Sequence, residues 1–196
     1  MTAMPARPRG FSLLELMITI AVMAILLAIA APSLRDVIHR NEVSSASNAL
    51  LASVSYARGE AITRGQLVSM CPSSDGATCT TSSTAYDPGW LVYTYPAGAA
   101  TANQAYKASN ILLRATGARA GVSIQALGTT VATFGQQGQL VSSTPAPTLT
   151  FITCYRSGSS GTGSSSSAVP GVQLGVNGSG SVSTTTLAAG ASCTPS

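Results

Sequence analysis

Arg9-Gly10-Phe11-Ser12-Leu13-Leu14-Glu15-Leu16 opens an apolar segment that runs to Ala31 with Glu15 as its one charged residue. A helix over Phe11–Ala31, 21 residues, rises about 31 Å, the thickness of a bilayer hydrocarbon core. Such a segment can cross a membrane, but its length also suits a secretory signal. Ala28-Ile29-Ala30 is an A-x-A pattern after which a signal peptidase could cut, releasing a soluble domain that begins at Ala31. An acid at the start of the hydrophobic run argues against that route. A carboxylate in lipid costs on the order of 2.5–3.5 kcal/mol even on the gentler insertion scales, so Glu15 is expected to meet a partner. Arg7 and Arg9 precede the segment, which puts the leader on the cytoplasmic side and the bulk of the chain outside the inner membrane.

The 196 residues leave room for a leader, one long helix and a single domain. Charged residues make up 8% of the chain, and Gly, Ser, Thr and Ala dominate its C-terminal part, a composition that suits an extracellular β-rich module. The net charge of +4 does not mark a nucleic-acid partner. Loss of Arg7 and Arg9 with the leader leaves eight basic residues against six acidic ones. Beyond Arg64 only Lys107, Arg114, Arg119 and Arg156 stand against Asp75 and Asp87. Cys71, Cys79, Cys154 and Cys193 all fall on the oxidising side of this topology, so disulfides are expected. Three connectivities are open; the favoured one joins Cys71–Cys79 across a short loop and Cys154–Cys193 from a late strand to the tail. No metal site is expected, because Cys71 and Cys79 are too widely spaced for a zinc knuckle and the single histidine, His39, lies far away.

Past Pro32 the pattern stays helical and becomes amphipathic. Val43, Ala46, Leu50, Val54, Ala57 and Ala61 recur at intervals of three and four, a stripe expected to pack on the following domain. Gly65 is a natural stop. Asp36/Arg40 and Glu60/Arg64 have the favourable acid-before-base spacing of a solvated face. From Gln66 onward the sequence predicts short strands at Leu67–Cys71, Trp90–Tyr95, Ile111–Ala115, Val122–Leu127, Thr130–Phe134, Leu149–Tyr155, Val172–Val176 and Ser181–Thr185, an antiparallel β-sandwich. Asn177-Gly178 signals a hairpin. Residues 157–167, SGSSGTGSSSS, read as a flexible loop outside the head. The expected organisation is a leader over 1–10, a helix over 11–64 (transmembrane over 11–31, amphipathic over 33–64) and a β-rich head over 65–196, an α+β chain.

The basic leader, Gly10, Phe11 and Glu15 resemble the type III signal of type IV pilins and pseudopilins. The resemblance implies cleavage between Gly10 and Phe11 by a prepilin peptidase, N-methylation of Phe11, and a Glu15 that pairs with the N-terminal amine of a neighbouring subunit. It also implies a helix-kinking role for Pro32. Residues 57–65 (ARGEAITRG), Met70-Cys71-Pro72-Ser73-Ser74-Asp75-Gly76, Gly89-Trp90-Leu91-Val92 and Phe134-x-x-x-Gly138 are similar to the markers of the GspH/FimT-type minor pilins, strongly over residues 7–94 and loosely after Gly138. Members sit at or near the tip of type IV pili or of the type II secretion pseudopilus, so the resemblance implies a minor pilin in pilus assembly and priming, with a secretion pseudopilin as the alternative. The implied partners are the peptidase, other major and minor pilins through the N-terminal helix, and the inner membrane before assembly, with the head periplasmic and then at the cell surface.

Each marker also has an ordinary structural use. Trp90 is expected in the core, the Arg58/Glu60/Arg64 group as a clamp between helix and head, and Asp75-Gly76 as a turn. Catalysis is not expected, because no histidine reaches the head and Asp75 and Asp87 lie in turn-like contexts. No cofactor is implied. DNA capture is the remaining alternative, since some FimT-like pilins use a Gly-Arg-x-Arg stretch on the last hairpin. Here Gly180-Ser181-Val182-Ser183 stands there with serine at both arginine positions, which forfeits the counterion-release contribution to phosphate binding. Arg114, Arg119 and Arg156 would have to form a substitute patch. Mass spectrometry of the mature protein is expected to find an N-methylated Phe11 as the first residue. A chain starting at Ala31 would contradict the retained-helix reading.

Overall fold

The computed structural model describes residues 11–99, 101–127, 130–141 and 147–195, with the side chains of Ala30 and Pro32 excepted. Helix α1 runs over Leu13–Arg64, followed by β1 (Val68–Pro72), β2 (Trp90–Thr94), β3 (Ile111–Thr116), β4 (Val122–Ala126), β5 (Ala132–Phe134), β6 (Leu140–Val141), β7 (Leu149–Tyr155), β8 (Val172–Val176) and β9 (Val182–Thr186). The chain divides into two compact units, Met1–Ile38 and His39–Ser196.

In the first unit, Ser12 caps the helix by accepting from the backbone N–H of Glu15, the first half of a Ser-x-x-Glu capping box. The segments Leu13–Ile29 and Ser33–Arg64 meet at a bend. The side chain of Pro32, expected to cause the kink, lies outside the described residues.

The second unit begins at His39, so the amphipathic half of α1 belongs to the head. Its strands form two antiparallel sheets, β3-β2-β1-β5-β6 and β4-β7-β8-β9. Val43, Ala46, Leu50, Val54, Ala57 and Ala61 are each no more than 2% exposed and join one core with Met70, Trp90 and Val92 of the first sheet and Ile124, Phe151 and Leu174 of the second. The 3.6-residue period puts these six on one line, and each fully buried Val or Leu is worth about 1.5–3 kcal/mol. The helix ends in a Schellman arrangement. Gln66 donates to Ala61 O and Gly65 to Ile62 O, as the positive φ of Gly65 allows.

Part of each sheet's outer face is covered too. Leu91, Tyr93, Tyr95 and Cys71 form a second cluster with Val131 and Tyr106. Gln104 and its neighbours are pinned over them by hydroxyls: Ser69 Oγ bonds Tyr95 Oη (2.8 Å) and Thr133 Oγ1 (2.6 Å), and both Tyr93 and Tyr95 donate to Gln104 O. On the second sheet the C-terminal tail covers Ile152. Cys71 is bonded to Cys79 and Cys154 to Cys193.

Two readings of the sequence need correction. Residues 157–167 do not hang wholly outside the head. Ser165 is 5% exposed, donates to Ala188 O and accepts from Gly171 N–H, and Ser164 N–H donates to Tyr155 O. A Ser-rich segment can be ordered when its hydroxyls satisfy backbone groups that apolar side chains could not. The strand β6 was not anticipated, because two residues carry no period. The sulfur bridges close loops of 8 and 39 residues. Replacing Cys154 and Cys193 by Ser is expected to cost about 1–2 kcal/mol more than replacing Cys71 and Cys79, a difference that thermal melts under non-reducing conditions would read.

Candidate functional site

The N-terminal unit exposes an unbroken apolar surface. Phe11, Leu13, Leu14, Met17, Ile18, Ile20, Met23, Ile25 and Ile29 are all more than half exposed. Glu15 sits among them in the first turn. An apolar surface this large is covered by lipid or by other subunits. By length and composition no single described helix would span a membrane, whereas Leu13–Ile29 and Ser33–Arg64 pass as a bent pair. Gly10 lies outside the described residues, and Phe11 is the first of them.

On the head, Arg58 is the residue that sequence reasoning placed in a clamp, and it acts alone. Its Nε donates to Gly138 O (3.1 Å) and its Nη2 to Ser179 O (3.5 Å). Those carbonyls belong to the β5–β6 turn and the β8–β9 turn, so one guanidinium ties the helix to both sheets where Leu140 N–H also donates to Gly178 O. Both turns require glycine at this junction. Gly138 (φ +79) has Ile62 Cδ1 and Arg58 Nε where a Cβ would stand, and Gly180 (φ +77) lies against the Gly138 carbonyl. The hairpin is therefore a type I turn closed by a left-handed Gly180, rather than a two-residue Asn-Gly turn. Glu60 and Arg64 do not join the clamp but pair with each other on the outer face, as their acid-before-base spacing predicts, an interaction worth a few tenths of a kcal/mol.

Of the three candidate DNA-contacting arginines, one is consumed by an ion pair. Arg156 is largely buried and pairs with buried Asp87 at 2.9 Å, while its Nη1 donates to Gly161 O. Asp87 also accepts from the Ile124 N–H, and its carbonyl accepts from the Arg119 N–H. The 84–89 segment, strand β4 and the end of β7 thus meet at Asp87. Arg114 is exposed on β3, its guanidinium 4.2 Å from the Tyr56 ring centre. Arg119 is half-buried between β3 and β4. Sequence spacing could not show that Asp87 and Arg156, 69 positions apart, are partners.

Asp75 is a turn residue. Its carboxylate accepts from the Thr78 hydroxyl and from the Ala77 and Thr78 N–H groups, which holds it well below the usual carboxylate range. The loop bonds that depend on this charge are present above the ordinary aspartate value and are lost as pH falls. Trp90 is wholly buried in the core. Arg40, read from the sequence as the surface partner of Asp36, instead donates from Nε to Ala168 O, and sequence reasoning missed the role of His39, which packs on Tyr155 with ring centres 4.0 Å apart and bonds Glu42 at 3.2 Å. Among the described residues no three His, Cys, Asp or Glu side chains converge as a metal set.

Residues 46–180 match the family model described as type II transport protein GspH, and residues 5–31 match the prokaryotic N-terminal methylation motif. The chain belongs to the GspH family. Among solved structures it is similar to the type IV minor pilin FimU of Pseudomonas aeruginosa in crystal form P21, with 22% identity over 74% of this chain and 88% of that one and a TM-score of 0.50. The same protein in form P65 matches at 20% identity, covering 72% and 91%, with a TM-score of 0.48. The first likeness shows a shared fold, a long helix followed by antiparallel sheets. The GspH-family model covers the stretch from the buried helix stripe to Gly180, and with it the Arg58 junction.

Arg156→Ala is expected to cost the GspH-family head about 3–5 kcal/mol, because Asp87 would remain buried without its counter-charge. Arg114→Ala should cost about 1 kcal/mol or less, the scale of an exposed cation–π contact. Chemical denaturation of the two variants beside the wild type would check the contrast, and equal losses would refute this assignment.

Proposed function

We propose that this protein is a minor pilin of a type IV pilus that takes part in assembly and priming at or near the tip. The observation that carries the reading is the exposed apolar helix bearing a single carboxylate near its start, joined to a GspH-family head. Cleavage between Gly10 and Phe11 by a prepilin peptidase, followed by N-methylation, would keep that helix on the mature chain; the methylation-motif match over residues 5–31 supports this. The helix then holds the protein in the inner membrane with the head in the periplasm, and moves into the filament by exchanging lipid for the helices of other pilins. Glu15 is costly in lipid. Pairing with a neighbour's N-terminal amine removes that cost only in the assembled state, which gives entry into the filament a direction. Pro32 would supply the bend.

The secretion pseudopilus is the second reading, since the family description concerns type II transport. The pilus is preferred because the solved head of like fold comes from a type IV minor pilin. DNA capture is disfavoured by the serines at Ser181 and Ser183 and by the Arg156–Asp87 pair. Deleting the gene is expected to reduce surface pili and twitching while type II secretion continues. Complementation with Glu15→Ala should restore membrane levels of the protein but not its presence in sheared filaments. Lost secretion with normal piliation would favour the pseudopilus, and normal incorporation of the Glu15→Ala chain would remove the assembly role of that carboxylate.

A further inference from the structure

The side-chain carboxylates of the head are all engaged. Glu42 bonds His39, Glu60 pairs with Arg64 and Asp87 with Arg156, while Asp75 is enclosed by the hydroxyl and N–H groups of its own turn. No Asp or Glu follows Asp87 in the sequence. Lys107, between β2 and β3, has no ion-pair partner among the described residues. It lines a surface cleft of about 260 Å³. That volume falls just below the 300–1,000 Å³ usual for small-molecule sites, so the cleft suits a ligand of about one ring.

The backbone around the cleft is tied down from beneath. Tyr95 Oη accepts from the Gln104 N–H and donates to the Gln104 carbonyl, both at 3.0 Å. Asn103 donates its N–H to Thr133 Oγ1 and its Nδ2 to Val141 O. Those bonds hold Asn103 at φ 57°, the one positive φ outside glycine among the described residues, a conformation that persists where its surroundings fix it. One polar group is left over. Asn110 lines the cleft and is 9% exposed, yet its Nδ2 has no hydrogen-bond partner. Its amide is held only by Ser109 Oγ, 3.5 Å from Oδ1. A buried N–H without an acceptor is costly, and so weak a tether lets the amide turn toward an acceptor placed in the cleft.

We propose that this cleft binds a sugar acid, whose carboxylate is taken by Lys107 and Asn110. An unneutralised ammonium and an unmet amide N–H both call for acceptors, and one planar two-oxygen group serves them together. The two residues share a turn closed by Asn110 N–H donating to Lys107 O at 2.9 Å, which keeps their side chains close. The other walls suit a sugar ring. Pro96, Ala99 and Ala105 offer an apolar surface to its C–H groups, and Thr101, Gln104 and Ser109 offer hydroxyl and amide groups to its hydroxyls. A phosphate fits less well, because one lysine and one amide leave most of its oxygens unmet. A neutral sugar would leave Lys107 without a counter-charge.

The test titrates the full chain in detergent micelles with galacturonate, read by calorimetry. A Kd of about 1 mM is expected, the range open to a ligand of about a dozen heavy atoms. Galactose, which lacks the carboxylate, and inorganic phosphate should each bind at least about ten-fold more weakly, and Lys107→Met should weaken galacturonate by a similar factor while Lys107→Arg retains most of the affinity. Asn110→Leu separates site from scaffold. It should abolish binding yet leave the thermal melt unchanged or higher, because it removes the unpaired amide. A galacturonate trimer bound as tightly as the monomer would identify the ligand as the end residue of an acidic polysaccharide; binding of the monomer alone would identify a free acid. Equal affinity for galactose or phosphate, undiminished binding by the Lys107→Met chain, or a lowered melt for Asn110→Leu would overturn the proposal. So would the absence of any galacturonate binding at about ten times the expected Kd.

Discussion

The buried line Val43, Ala46, Leu50, Val54, Ala57 and Ala61 is the constraint on which the rest of the head depends. Neither sheet has a closed apolar core without it, because Met70, Trp90 and Val92 on one side and Ile124, Phe151 and Leu174 on the other join a single cluster that includes this stripe. Alanines toward the C-terminal end keep the helix surface low where Arg58 reaches the Gly138 and Ser179 carbonyls. Apolar burial thus fixes the helix along its length, and one guanidinium fixes its end. The unit boundary before His39 follows from the same chemistry. On its head side the helix hides its stripe, and on the other it exposes apolar side chains that call for a lipid or protein environment.

Polar groups then decide the details that burial leaves open. The Ser69, Thr133, Tyr93, Tyr95 and Gln104 bonds hold Gln104 and its neighbours over the outer face of the first sheet, and Asp87 gathers backbone and side-chain donors from three parts of the chain. Satisfied buried networks of this kind specify one arrangement among several that would bury similar apolar area. They also remove charge from the surface. Arg156 is absorbed by Asp87 and Arg58 by two carbonyls, which leaves the head with few free cations and an uncharged C-terminal region.

The sequence makes the helix legible because its periods are long: a continuous apolar run, then a stripe of three and four over about twenty residues. Leu149–Tyr155 and Val172–Val176 are equally plain, being apolar strands bounded by turn residues, and the other predicted strands fall within a residue or two of their places. Strand β6 carries no such signal. The ordering of Ser164 and Ser165 was hidden because low-complexity composition reports average solubility and says nothing of a particular hydroxyl that meets a free N–H. The Arg156–Asp87 and Arg58–Gly138 contacts join distant positions, and no local pattern encodes which basic residue will be consumed. Glu15 stands out in the sequence because it is the one carboxylate in an apolar run.

The central claim is that the helix from Val43 to Ala61 is part of the head's cooperative core. Native-state hydrogen exchange of the full chain in detergent micelles tests it most directly. The account predicts that amides over Ala46–Ala61 exchange only through the same global opening as those of β7, Leu149–Tyr155, with matching free energies and matching denaturant dependence. Exchange of the helix amides through a separate, lower-energy opening while β7 remains protected would contradict it.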